Sequence, residues 1–115
     1  MSIERYNIGK RLSEIVVYNG IVYLSGEVPD DTTKDITGQT EEVLAKIDAL
    51  LAKVGSGKNR ILSAQIFLPD MNDFAGMNEV YSAHIVAPPP ARATVQVARL
   101  PRDVKIEIDV IAVLG

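Results

Sequence analysis

The sequence contains no cysteine and no tryptophan. Without cysteine there is no disulfide framework, no thiolate nucleophile and no thiolate metal site. The same absence fits a reducing compartment, so a cytoplasmic location is the expectation. A single histidine, His84, stands without a second histidine or a paired carboxylate motif, so neither a metal site nor a catalytic triad is expected. Long apolar runs are missing as well: none approaches the roughly 20 residues of a membrane-spanning helix. The opening MSIERYNIGK lacks the apolar centre of a secretion signal. Positive charge is not in excess, with 12 Lys and Arg against 15 Asp and Glu for a net charge of −3. No global positive field therefore draws in a polyanion, and neither nucleic acid nor membrane is an expected partner.

What is present reads as one globular domain over residues 1–115, with 47% hydrophobic and 23% charged residues. In SEIVVYNGIVYLSG (13–26) two β-branched runs flank Asn19-Gly20, a dipeptide whose tolerance of positive φ predicts a tight hairpin. In DITGQTEEVLAKIDALLAKVG the period changes. Val43, Leu44, Ile47, Leu50, Leu51 and Val54 form one helical stripe, with Asp35 as N-cap and Gly55 just past the end. ILSAQIFLPD (61–70) reads as a strand with Leu62, Ala64, Ile66 and Leu68 on one face. The second helix takes Asn72 as cap and buries Phe74, Met77, Tyr81 and Ile85; prolines 88–90 end it. The loop VGSGKNR follows a helix and lacks the spacing of a phosphate loop.

Strands are expected over 91–98 and 104–113. Alternation divides the first into Arg92, Thr94 and Gln96 against Ala91, Ala93, Val95 and Val97, the apolar set being expected to meet the helices. In the second, Ile106, Ile108, Val110 and Ala112 oppose Lys105, Glu107 and Asp109. The expected fold class is α+β, a mixed sheet with two helices on one face and the other face open. So small a chain has little room for a deep pocket, and a cleft between subunits of a ring is the natural enclosure.

ARATVQVARLPRDVKIEIDVIAV resembles the C-terminal signature of the RidA/YjgF family of reactive-intermediate deaminases. LSGEVP and IFLPDMNDFAGMNEVY support the likeness in the same order, and it spans about residues 13 to 114, with some features of the YoaB-like branch. The resemblance implies a chorismate-mutase-like sandwich, a homotrimer and three equivalent clefts between subunits. It implies hydrolysis of enamines and imines, such as 2-aminoacrylate, to 2-keto acids and ammonia without metal or organic cofactor. By the same resemblance Arg92 holds the substrate carboxylate and Glu107 orients or activates water. Ser25 and Gly26 line the cleft, Thr94 offers a hydroxyl to the carboxylate, and Asn78 and Tyr81 occupy family positions on the second helix. A tyrosine of the family's first strand region has no counterpart: its place falls on Leu12, or on Arg11 if one gap is allowed. Glu27 stands where glutamine is common. Two other readings accompany this one: a trimeric module that holds a 2-keto acid without turnover, and RNA binding or cleavage.

Overall fold

The computed structural model describes residues 2–115. Its strands are β1 (Glu4–Ile8), β2 (Ser13–Tyr18), β3 (Ile21–Leu24), β4 (Ile61–Leu68), β5 (Ala91–Gln96) and β6 (Glu107–Val113), and its helices are α1 (Ile36–Lys53) and α2 (Phe74–His84). One six-stranded sheet runs β1-β2-β3-β6-β4-β5. Only β4 and β5 pair in parallel, and α2 connects them. The two strands expected over 91–98 and 104–113 are therefore not neighbours; β4 lies between them. Both helices bury their stripes against one sheet face, where Ile15, Val22, Ile66, Ile106, Ile108 and Ala112 meet Val43, Leu51 and Met77 with essentially no exposure. The α+β class with helices on one face is what the alternation predicted.

Local chemistry fixes the ends of these elements. Asn19 and Gly20 both take positive φ at the β2–β3 turn. Asp35 caps α1 by accepting from the Gly38 N–H at 2.9 Å. At the other end Gly55 has φ 80°. Its N–H bonds Ala52 O and the Ser56 N–H bonds Leu51 O, the paired closure that a left-handed residue permits. VGSGKNR is thus a helix stop followed by a short 3-10 turn over Lys58–Arg60.

Four expectations need correction. Strand β1 was not foreseen: its residues show no alternation, only Tyr6 reaches the core, and backbone pairing to β2 holds it at the sheet edge. Asn72 does not cap the second helix. Asp70 accepts from the Asn72 N–H instead, capping a 3-10 turn over Met71–Asp73 that runs into α2. Leu62 leaves the buried face because the β4–β6 register slips between Ile61 and Ser63; the extra residue bulges outward and is 48% exposed. The faces of β5 are reversed. Arg92, Thr94 and Gln96 pair with the inward residues Ala64, Ile66 and Leu68, so they lie on the helix side, while Ala93 and Val95 lie on the open face.

Candidate functional site

The reversal of β5 places Arg92 against α2. Its guanidinium carbon lies 4.8 Å from the Tyr81 ring centroid and 5.8 Å from that of Phe74. Its Nη1–H donates to Asn78 Oδ1 at 2.7 Å. Positions 74, 78 and 81 recur at helical spacing, so one face of α2 supplies a flat aromatic bed and one acceptor. The aromatic faces hold the cation in place by cation–π attraction, leaving its remaining N–H groups for a planar anion. Phe74 had been read only as a core residue; its spacing from Asn78 and Tyr81 was the available signal.

Two hydroxyls complete this cluster. Thr94 Oγ1, on the same strand face as Arg92, and Tyr81 Oη are both buried without a hydrogen-bond partner; among the described side chains no other polar atom is so placed. Burial raises the Tyr81 phenol above its ordinary value, with Arg92 pulling the other way, so the hydroxyl keeps its proton. A buried hydroxyl without a partner is costly, so both groups are unused hydrogen-bonding capacity next to Arg92.

A second cluster forms where β3 ends. Pairing runs Tyr23 with Ile111 and then Glu27 with Ile108, one residue out of step, so Ser25 and Gly26 make a β-bulge. The Glu107 carboxylate fills the space over Gly26: a Cβ built there would stand 2.3 Å from Glu107 Oε2. Only glycine at position 26 allows Glu107 its position. Burial pushes the Glu107 carboxyl up from its ordinary value and the Asp109 charge adds to the effect; burial raises Asp109 as well. Ser25 donates its hydroxyl to Glu27 Oε2 at 2.8 Å, and Glu27 is almost fully buried.

The two clusters do not meet within one chain. Arg92 lies in register with Ala64 and Val110, whereas Glu107 lies in register with Phe67 and Val95. Glu107 is therefore two strands and three residues from Arg92, and the two residues are on opposite sheet faces. The spacing corresponds to about 14 Å between their Cα atoms. His84 belongs to neither cluster; its Nε2 meets Asp48 Oδ2 at 3.0 Å and ties α2 to α1. No group of three or more His, Cys, Asp or Glu among the described residues is arranged to hold a metal ion.

The family model described as endoribonuclease L-PSP matches residues 3–114. The chain belongs to this family, also called RidA/YjgF. A RutC family protein of Haemophilus influenzae is 44% identical over 114 residues, covering 97% of this chain and 98% of that protein. The RutC family protein YoaB of Escherichia coli K12 is 43% identical over 113 residues, with 97% and 98% covered. Among solved structures, a YjgF-family protein of Neisseria meningitidis superposes with a TM-score of 0.96 at 43% identity, covering all of this chain and 97% of that one. At these identities and coverages the family's fold extends over the whole chain.

Proposed function

We propose that this protein is a homotrimer that hydrolyses enamine and imine intermediates to 2-keto acids and ammonia in clefts between subunits. The observation that carries the reading is the division of the candidate residues into two clusters about 14 Å apart. An Arg92 cluster can grip a carboxylate and a Glu107 cluster can handle water, and neither suffices alone. Symmetry supplies the remedy, because a ring sets one copy's β5 edge beside the next copy's β3–β6 end. The open sheet face supports such packing: Tyr18 is 42% exposed, Tyr23 43% and Val95 46%, with Phe67 and Ile111 beside them.

In this cleft the Arg92 fork and the Thr94 and Tyr81 hydroxyls bind the substrate carboxylate. The enamine tautomerises to R–C(=NH)–COO⁻. Glu107 takes a proton from water as its oxygen adds to the imine carbon. Glu107 passes that proton to the nitrogen, giving the carbinolamine R–C(OH)(NH2)–COO⁻; it then carries the hydroxyl proton to the nitrogen as the C–N bond breaks, so that ammonia leaves and R–CO–COO⁻ remains. Positioning and one proton-transfer group are enough for so labile a bond. Endoribonuclease activity, which the family description names, finds little support in a chain of net charge −3.

The test is hydrolysis of imino acids generated in situ by an amino-acid oxidase, in competition with semicarbazide trapping. Wild type should outcompete trapping and Arg92→Ala should not. If neither competes, and a 2-keto acid still raises the wild-type Tm but not that of the variant, the protein is a carboxylate-binding module. The apolar Leu12, 57% exposed in the β1–β2 turn in place of a phenol, would then be the reason.

A further inference from the structure

We propose that Glu27 is a positioning residue that holds the Ser25 hydroxyl so that the serine oxygen faces the cleft only as an acceptor, selecting the N–H of an imine or enamine over the carbonyl oxygen of the keto acid. This rests on the deaminase reading and gives it a basis for preferring substrate over product.

The geometry is specific. Glu27 is fixed from both backbone directions, its N–H donating to Ile108 O at 2.8 Å and its carbonyl accepting from the Ile108 N–H at 3.0 Å. The carboxylate is therefore carried by a residue that an isolated two-bond bridge to β6 holds in place, and Glu27 is 4% exposed. An ionised carboxylate only accepts, so the 2.8 Å contact requires Ser25 to donate its one hydrogen to Glu27. What remains on Ser25 is lone pairs. The next residue, Gly26, is the one against which Glu107 packs, so that acceptor stands beside the group assigned to water. An imine or enamine nitrogen carries N–H and is matched; a keto oxygen facing the same lone pairs is repelled.

Groups from three elements face Glu27: Ser25 from the bulge, Glu14 from β2 and Lys46 from α1. Burial raises the Glu27 carboxyl, the Ser25 hydrogen bond lowers it, Glu14 raises it and Lys46 lowers it. Once protonated, Glu27 no longer requires the serine proton, and Ser25 is free to donate to a keto oxygen. Discrimination between imine and keto acid should therefore be strong at mildly alkaline pH and weaken as the solution is made acid.

The experiment measures kcat/KM for an in-situ imino acid and the inhibition constant of the matching 2-keto acid, across mildly acid to mildly alkaline pH. It compares wild type, Ser25→Ala, Glu27→Ala and Glu27→Gln. Loss of one such hydrogen bond is worth about 3- to 10-fold, so Ser25→Ala and Glu27→Ala should lower kcat/KM by about that factor. Glu27→Ala should also tighten keto-acid inhibition. Glu27→Gln, whose amide oxygen can still accept from Ser25, should restore turnover to within about threefold and abolish the pH dependence of discrimination. If Glu27→Ala lowers Tm but leaves the ratio of turnover to keto-acid inhibition unchanged, the residue is merely structural and the proposal fails. A ¹³C carboxyl titration separates this from failure of the function itself. Ser25→Ala should raise the Glu27 pKa whether or not the protein turns over imines, and an unmoved titration overturns the proposed contact. Wild type that neither hydrolyses imines nor binds keto acid would overturn the deaminase reading and this role together.

Discussion

Thr94 and Tyr81 each bury a hydroxyl without a partner beside an arginine that has N–H groups to spare. A polar group buried unpaired gives little stability, and exchanging it for an apolar group of the same shape is near neutral or stabilising. Thr94→Val and Tyr81→Phe should therefore hold or raise Tm while weakening 2-keto acid binding by about 3- to 10-fold each, as calorimetry would show. A fall in Tm without a fall in affinity would make both hydroxyls structural. Gly26→Ala should behave in the opposite sense to Gly55→Ala. The first collides with Glu107 Oε2 and should cost about tenfold or more in turnover at little cost in Tm. The second forces φ 80° on a residue with a Cβ, in open space, and should cost about 1 kcal/mol of stability without touching turnover. The raised Asp109 carboxyl gives a pH prediction. Burial favours its neutral form in the fold, so between its ordinary and its raised value the folded chain binds more protons than the unfolded one. Stability is then full below the ordinary value and falls as pH rises through the raised one. Asp109→Asn should raise Tm at neutral pH and leave it unchanged in acid; a lower Tm at neutral pH would show that a partner pairs this charge.

The elements differ in how far the sequence disclosed them, and the difference follows the range of the forces that set them. Where chemistry within a few residues decides, the reading was right: Asn19-Gly20 turns the hairpin, Asp35 starts α1 and Gly55 ends it. Asp35→Ala should cost about 1 kcal/mol, seen as a lower denaturation midpoint with an unchanged slope. No loss would mean that the Gly38 N–H finds another acceptor. Where a distant strand decides, the reading failed. The bulge at Leu62 and the one at Ser25-Gly26 are register slips against β6, and no local signal marks a slip. The β5 faces were misassigned because alternation shows that two faces differ without showing which one the helices cover. Apolar Ala93 and Val95 looked like core; Arg92 looked like surface. In the fold Arg92 lies across Tyr81 with its charge at the rim, a position open to a long amphipathic side chain. Asn78, Tyr81, Arg92 and Thr94 were legible as a set through resemblance, and the fold brings them together. The same resemblance could not reveal that Glu107 stands on the opposite face.

For the whole molecule, the proposed function and the separation of Arg92 from Glu107 together predict that activity depends on assembly. A chain that held both halves of its own cleft would lose activity independently in each variant, and mixing two inactive variants would restore nothing. A ring that builds each cleft from two copies behaves differently. Arg92→Ala subunits retain Glu107, and Glu107→Gln subunits retain Arg92. Random exchange in equal amounts should leave roughly a quarter of clefts with both native groups, since each cleft draws one half from each neighbour. Dissociating the two inactive variants in mild denaturant, mixing them and refolding should therefore recover about a quarter of wild-type imine hydrolysis, whereas each variant refolded alone recovers none. A charge on the open face provides the control. Tyr23→Glu places a carboxylate between Val16 and Ile111 on the open face, which an interface must desolvate, so the variant should run as a monomer by light scattering. Its circular dichroism should be unchanged, because Tyr23 contributes nothing to the core beneath the helices. Its activity should vanish with the trimer. An active Tyr23→Glu monomer, or mixed variants that recover nothing, would show that the two clusters do not form one site, and Arg92 would remain a carboxylate holder without a water-activating partner.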